Sequence, residues 1–246
     1  MLSGILILME RAPLGFSIRW STQSGDEPPG FSDHTGNWFL DDEDQDFLIH
    51  STGKGTHELR EWREQYDTPK HWGVVVVPVG YTQEDHWAVL TKSREFEAMQ
   101  AKYDKCAIAK HFMDGLAGKL LRRPVYFFRR FRLKFWKRQD RYNICSWLSC
   151  YTWRDIGHGV LGLVRDKIKW RWWPPGIKRT YLKEQIGCRF VAPNDWERAV
   201  FVHNPTGYRV IEEIGERPDN LPESYIAKIS ADRASCADWR AGLLAS

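Results

Sequence analysis

An α+β fold is the class this chain predicts, and three observations carry the expectation. Strand-like runs open the chain, helical spacing dominates its middle, and strand-like runs return after residue 176. The sharpest strand signal is at 72–79. Four consecutive valines there, ended by Pro78 and Gly80, have the pattern of a buried central strand. The sharpest helical signal is at 105–121, where Ala107, Ile108, Phe112, Leu116 and Leu120 recur at close to helical spacing.

The remaining elements follow in chain order. Residues 4–9 are an apolar run that predicts a first strand, and 17–20 a short second element. Residues 21–30 are rich in Gly, Pro and Ser and predict a loop. Residues 34–40 predict a strand, the acidic 41–46 a solvated turn, and 47–50 the antiparallel return. A short helix is expected over 59–66 and a longer one over 93–103. Residues 145–157 predict an amphipathic helix with Asn143 as its cap, Ile144, Leu148 and Tyr151 as its apolar stripe, and Gly157 as its stop. Strands are expected over 187–192, 198–203 and 208–214. The domain reading is one unit over 1–214, with a basic-aromatic insertion at 119–141, and a polar C-terminal tail over 215–246 that has scattered apolar anchors for docking.

Composition narrows the function classes. The chain has 246 residues, net charge +4 and 13 Trp, and its cations are segregated. Residues 119–141 contain a single acid, Asp140, and 165–179 a single acid, Asp166. Five Cys without CxxC spacing do not read as a disulfide scaffold, so a reduced compartment is the simpler expectation. The apolar run at 5–9 is too short for a membrane span and lacks the flanks of a signal peptide, which leaves a cytoplasmic or particle-associated protein. No P-loop, GxGxxG, HExxH or CxxC pair is present, so a nucleotide cofactor or zinc chemistry is disfavoured and no cofactor is expected. His57, His71, His86, His111, His158 and His203 show no ligand spacing.

Cys145 is the residue on which function turns. It falls in the first turn of its expected helix, where free backbone N–H groups and the helix dipole favour a thiolate. His34 and His50 stand at the two ends of one expected hairpin, ends that an antiparallel pairing brings together. A thiol needs a base within hydrogen-bond reach and a third polar group to orient that base. The bland alternative is a small buried hydrophobe at Cys145 and two satisfied structural histidines. The other cysteines fit catalysis less well: Cys106 on an apolar helix face, Cys150 on another face of the Cys145 helix, Cys188 in an expected strand and Cys236 in the tail.

Five short motifs then stand in one order: FSDHTG (31–36), LIHSTGKG (48–55), Tyr103 with Asp104, NICS (143–146) and APNDW (192–196). In this order they resemble the circularly permuted NlpC-type, YiiX-like, papain-fold cysteine hydrolases. The residues Ile18, Arg19 and Trp20 ahead of the histidine add to the likeness, which covers roughly 4–202. An Asp stands between Ser32 and His34, Trp147 occupies the place of the family's Glu, and His50 that of its third polar group. A His–His–Cys set is similar to the lecithin–retinol acyltransferase branch of the same superfamily. The resemblance implies a permuted papain-like domain with a central antiparallel sheet packed by helices. It implies acyl transfer, with Cys145 as nucleophile, His34 as base, His50 as orienter and the Cys145 N–H as one oxyanion donor; Tyr103 is the candidate for the second. A cell-wall peptide amide is the substrate it implies, in a bacterial or bacteriophage protein. The alternatives it leaves are a lipid or thioester acyltransferase or hydrolase, and an inactive structural member contacting virion or tail proteins.

The insertion has its own reading. Cations and rings interleave over 122–138, with Arg129, Arg130, Arg132 and Trp136 as the residues placed to bind an anion, and again over 167–173. That pattern suits a polyanion or an anionic membrane surface. The bland reading is a surface flap whose Arg stems lie on apolar ground.

Overall fold

A computed structural model describes residues 1–22, 30–104, 109, 142–158, 161–164, 182–185, 188 and 191–236. Its centre is a six-stranded antiparallel sheet packed by helices, a mixed α+β arrangement. Strand β1 (Leu2–Glu10) is buried at every position but its last. So long an unbroken apolar run can only be covered in the middle of a sheet. It is flanked by β2 (His34–Leu40) and β5 (His71–Pro78), with Leu8 opposite His34 and Ile7 opposite Val74. The valines at 74–77 are wholly buried, as a central strand requires. Strands β3 (Asp46–Thr52) and β4 (Gly55–Leu59) extend the β2 side, and β10 (Tyr208–Gly215) closes the other, in the order β10-β5-β1-β2-β3-β4.

The turn between β2 and β3 closes on its own bonds. Asp41 accepts from the N–H groups of Glu43 and Gln45 at 3.0 and 2.9 Å, and its own N–H donates to the Gln45 carbonyl. Helix α1 (Pro13–Thr22) lies against β1, and α2 (Trp62–Tyr66) follows β4. Helix α3 (Gln83–Ala98) packs on β1 and β3. Short strands β6 (Lys102–Tyr103) and β7 (Tyr142–Asn143) pair in parallel and lead into α4 (Cys145–Arg154), which packs on β2, β3 and α3. Strands β8 (Leu161–Val164) and β9 (Leu182–Gln185) form a separate antiparallel pair. Helix α5 (Pro193–Arg198) runs into a π-helical turn, Ala199–His203, and α6 (Glu223–Ala234) packs on β10.

Several local expectations change. The second element is the whole of α1, longer than 17–20. Leu59 ends β4 and only Trp62–Tyr66 is helical. The helix expected over 93–103 begins at Gln83, because Thr82 and Asp85 form a capping box: each side chain accepts the other's backbone N–H, at 3.2 and 2.8 Å. It stops at Ala98, and Lys102–Tyr103 is extended. The strand expected over 198–203 is a helix end and π-helical turn. Its β-branched pattern is overridden by Pro193 at the helix start and by Asp195, which accepts from the Ala192 N–H at 2.7 Å. Of 187–192 only Cys188, Val191 and Ala192 are described, and none is in a strand. Apart from Ala109, which is helical, the expected helix at 105–121 and the insertion at 119–141 lie outside the described residues, as does Cys106. In the 215–246 segment, α6 buries Tyr225 and Ile229 against the body of the protein.

Candidate active site

Three tethers fix α4, and with it Cys145: one to the strand that carries His34 and two to the segment leading into α5. Buried Asn37 of β2 donates to Ser93 of α3 and Thr152 of α4, each at 2.9 Å, and accepts from the Trp153 indole at 3.1 Å. Ser146 donates to the Val191 carbonyl at 2.7 Å. Cys150 is joined to Cys188 by a disulfide, with Cα atoms 5.3 Å apart. That last tether corrects the reading of the cysteines as unpaired thiols in a reduced setting. Residues 38 apart in sequence are brought together by the return of the chain toward α5, which spacing alone does not reveal. Among the described residues, Cys145 and Cys236 are the free thiols, and both are buried.

The other side of the site is held from α5. Buried Glu197 accepts the backbone N–H groups of Phe31 and Ser32, both at 2.7 Å, just ahead of Asp33 and His34. Asp33 accepts from the Glu10 N–H at 3.0 Å and pairs with Arg19 of α1. Burial pushes the Asp33 carboxyl up to about 7, against the pull of the Glu10 N–H and Arg19. α5 therefore touches both halves of the site: the lead-in to His34 through Glu197, and α4 through the Trp196 indole, which donates to the Ser146 carbonyl at 3.5 Å.

The histidines meet as the hairpin predicts. His34 Nε2 and His50 Nδ1 are 3.0 Å apart. Gly36 makes this possible. It faces His50 across the strands, and a Cβ on it would lie 3.1 Å from the His50 Cβ. With no side chain there, His34, two residues earlier on the same face, can lean over to its partner. The chain of rings continues: His50 Nε2 is 3.2 Å from His57 Nε2, and His57 Nδ1 is 3.1 Å from the Gly55 carbonyl. His57 was passed over in the sequence because metal spacing was the test applied to it. The signal that finds it is the pairing of His50 with His57 in the β3–β4 hairpin.

Cys145 opens α4, but Asn143 is not its cap. Ile144 flanks the helix with extended backbone and no side-chain cap. Nor is the sulfur held as a thiolate. Burial pushes it up to about 11, although the backbone N–H groups of Thr35 and Ser146 pull the other way. The helix start is present, but loss of water outweighs it. Tyr103 and Tyr66 face the sulfur, and burial first, then Cys145, raises both phenols above their ordinary range. Burial lowers His34 to about 4 and carries His50 well down, with neighbouring histidines adding to both. At neutral pH Cys145 is then a neutral thiol, and His34 and His50 are neutral imidazoles.

A cavity of about 670 Å³ opens onto His34 and Tyr103, while Cys145 and His50 are not among its lining residues. His34, Tyr66, His71 and Tyr103 line it, with Leu8, Leu14 and Ile18 as an apolar wall. Leu14 and Phe16 of α1 are exposed beside it, at 66% and 62%. Among the described residues no group of three or more His, Cys, Asp or Glu could hold a metal ion. No helix among the described residues is long and apolar enough to cross a membrane. Arg129, Arg130, Arg132 and Trp136 lie outside the described residues, so the anion-binding reading of 122–138 has no structural counterpart here. In comparisons with family models, with curated proteins and with solved structures, no significant match to this chain was found.

Proposed function

We propose that the protein is a thiol-dependent acyl-transfer hydrolase of the permuted papain-like kind, cleaving an amide bond, with a cell-wall peptide as substrate. The observation that carries the reading is the 3.0 Å contact between His34 and His50, with the buried helix-start sulfur of Cys145 taking the N–H of Thr35, the residue after His34. Cys145 attacks the carbonyl carbon of a substrate seated in the cavity. Its proton passes to His34 as the carbon–sulfur bond forms. His34 then delivers that proton to the leaving amine as the carbon–nitrogen bond breaks, leaving a thioester on Cys145. Water, deprotonated by His34, hydrolyses the thioester and restores the thiol. In this reading the Cys145 N–H and the Tyr103 hydroxyl serve as the oxyanion donors. Because the resting pair is neutral, His34 acts as a general base during attack rather than as the partner of a preformed thiolate.

A second reading has its own support. The Leu8, Leu14 and Ile18 wall and the exposed Leu14 and Phe16 suit an acyl chain, which points to lipid or thioester acyl transfer by the same residues. Digestion of purified cell-wall sacculi and of phospholipid vesicles, followed by mass spectrometry, separates the two. New peptide amines from sacculi that vanish in Cys145→Ala and His34→Ala support the amidase. Released or transferred acyl chains with no peptide cleavage support the lipid reading. Product formation that persists in Cys145→Ala removes both.

A further inference from the structure

The direction of the histidine chain is set by its far end. A carbonyl oxygen can only accept, so the 3.1 Å contact with Gly55 requires the His57 proton on Nδ1. In the neutral form of His57, Nε2 is then the acceptor, and His50 Nε2 donates to it across 3.2 Å. That leaves His50 Nδ1 as an acceptor, and His34 Nε2 must donate to it across 3.0 Å. The His34 lone pair is thereby confined to Nδ1, the nitrogen that His50 does not occupy. Reversing any one ring would set two lone pairs or two protons against each other at the next contact.

The terminus of the chain is itself fixed. Gly55 has φ +98, a conformation L side chains rarely adopt, and a Cβ there would lie 3.0 Å from the Ala101 carbonyl. The Thr56 N–H donates to that same carbonyl at 3.0 Å. Ala101 leads directly into β6, which ends at Tyr103, so the residue that holds the Gly55 turn stands two positions before Tyr103.

We infer that His57 is a positioning residue: through His50 it locks His34 in the Nε2–H tautomer and keeps Nδ1 free to take the Cys145 proton. This rests on the thiol reading for its purpose but not for its test. The test is long-range 1H–15N NMR of the histidine rings in the full chain at neutral pH, for wild type, His57→Phe and His57→Gln. In wild type, His34 should carry its proton on Nε2. In His57→Phe, His50 loses its acceptor, and a population of His34 with the proton on Nδ1 should appear. In His57→Gln the side-chain oxygen still accepts from His50, and the wild-type tautomer should return.

Alkylation of Cys145 by iodoacetamide gives the second readout. It should slow in His57→Phe by on the order of 10- to 100-fold, taking as a guide the loss when a hydrogen-bond partner of a metal-ligating histidine is removed, and recover in His57→Gln. A wild-type spectrum with His34 protonated on Nδ1, or a His34 tautomer unchanged in folded His57→Phe, overturns the inference. A Cys145 inert in wild type, alongside a tautomer that responds to His57, would instead count against acyl transfer and leave the relay standing.

Discussion

Thiolate at Cys145 should be nearly absent at neutral pH, and this can be measured without knowing the substrate. Burial places the thiol at about 11 and His34 at about 4. A cysteine at an ordinary value of 9.0 is about 1% ionised at pH 7, whereas one at about 11 is ionised to roughly 0.01%, about a hundredfold less. The sign follows from which form burial penalises. The charged thiolate loses its water, so the proton is held as pH rises through the ordinary cysteine range and is released only well above it. The perturbation is therefore a pH titration from 5 to 9, followed by absorbance at 240 nm as a difference between wild type and Cys145→Ala. The difference should stay flat across that span. An ion-paired thiolate–imidazolium would instead give a step centred below 7. Such a step would refute the ranking of burial above the helix start and the Thr35 and Ser146 N–H groups, and the mechanism would begin from a preformed thiolate.

Glu197→Ala should destabilise the protein by about 2–4 kcal/mol in urea unfolding, because it strands two buried backbone donors. Glu197→Gln, which keeps one acceptor, should cost less, and a loss below 1 kcal/mol in the alanine variant would remove the tether. Reducing Cys150–Cys188, or changing Cys188→Ser, opens a 38-residue loop and should lower stability by about 4 kcal/mol on the loop-entropy scale. An unchanged melting temperature with and without reductant would show that the bridge is not formed in solution. Residues 122–138 should confer binding to an anionic surface that weakens steeply with salt. Co-sedimentation with sacculi, anionic vesicles and DNA tests this, with four of the arginines changed to serine as the control, and salt-insensitive binding by both proteins would return the segment to a surface flap.

The sheet was legible where burial is two-sided. The valines at 74–77 and the apolar run of β1 cannot be solvated in any other arrangement, and the β2–β3 hairpin announced itself by an acidic turn between two apolar runs. The pairing of His34 with His50 followed from that hairpin. What was hidden is long-range. Whether Ala199–His203 extends or coils depends on Pro193, Asp195 and the packing of α5, since its own β-branched pattern points the other way. Cys150 and Cys188 carry no spacing that marks a bridge. The state of the Cys145 sulfur depends on how much water the folded chain removes, a quantity that a motif at a helix start does not contain. His57 was hidden for a simpler reason: β4 was not recognised as a strand, so His57 had no place opposite His50.

Because the three rings stand on three neighbouring strands, the relay runs at right angles to the chain, from β2 through β3 to β4. Its geometry is therefore set by register more than by rotamer choice. This divides the hairpin into regions of opposite tolerance to changes in length. Residues inserted within 41–45 lengthen a turn that already closes on its own hydrogen bonds, and can leave Gly36 opposite His50. Removing a single residue between Asp46 and His50 swings His50 to the other face of the sheet, and the chain of rings is broken although every histidine remains. A library of one-residue insertions and deletions along 34–59 would trace that boundary as a sharp alternation between active and silent variants. The turn is thus the place to graft a tag, a label or a binding loop, while the strands beside it must be kept at their present length.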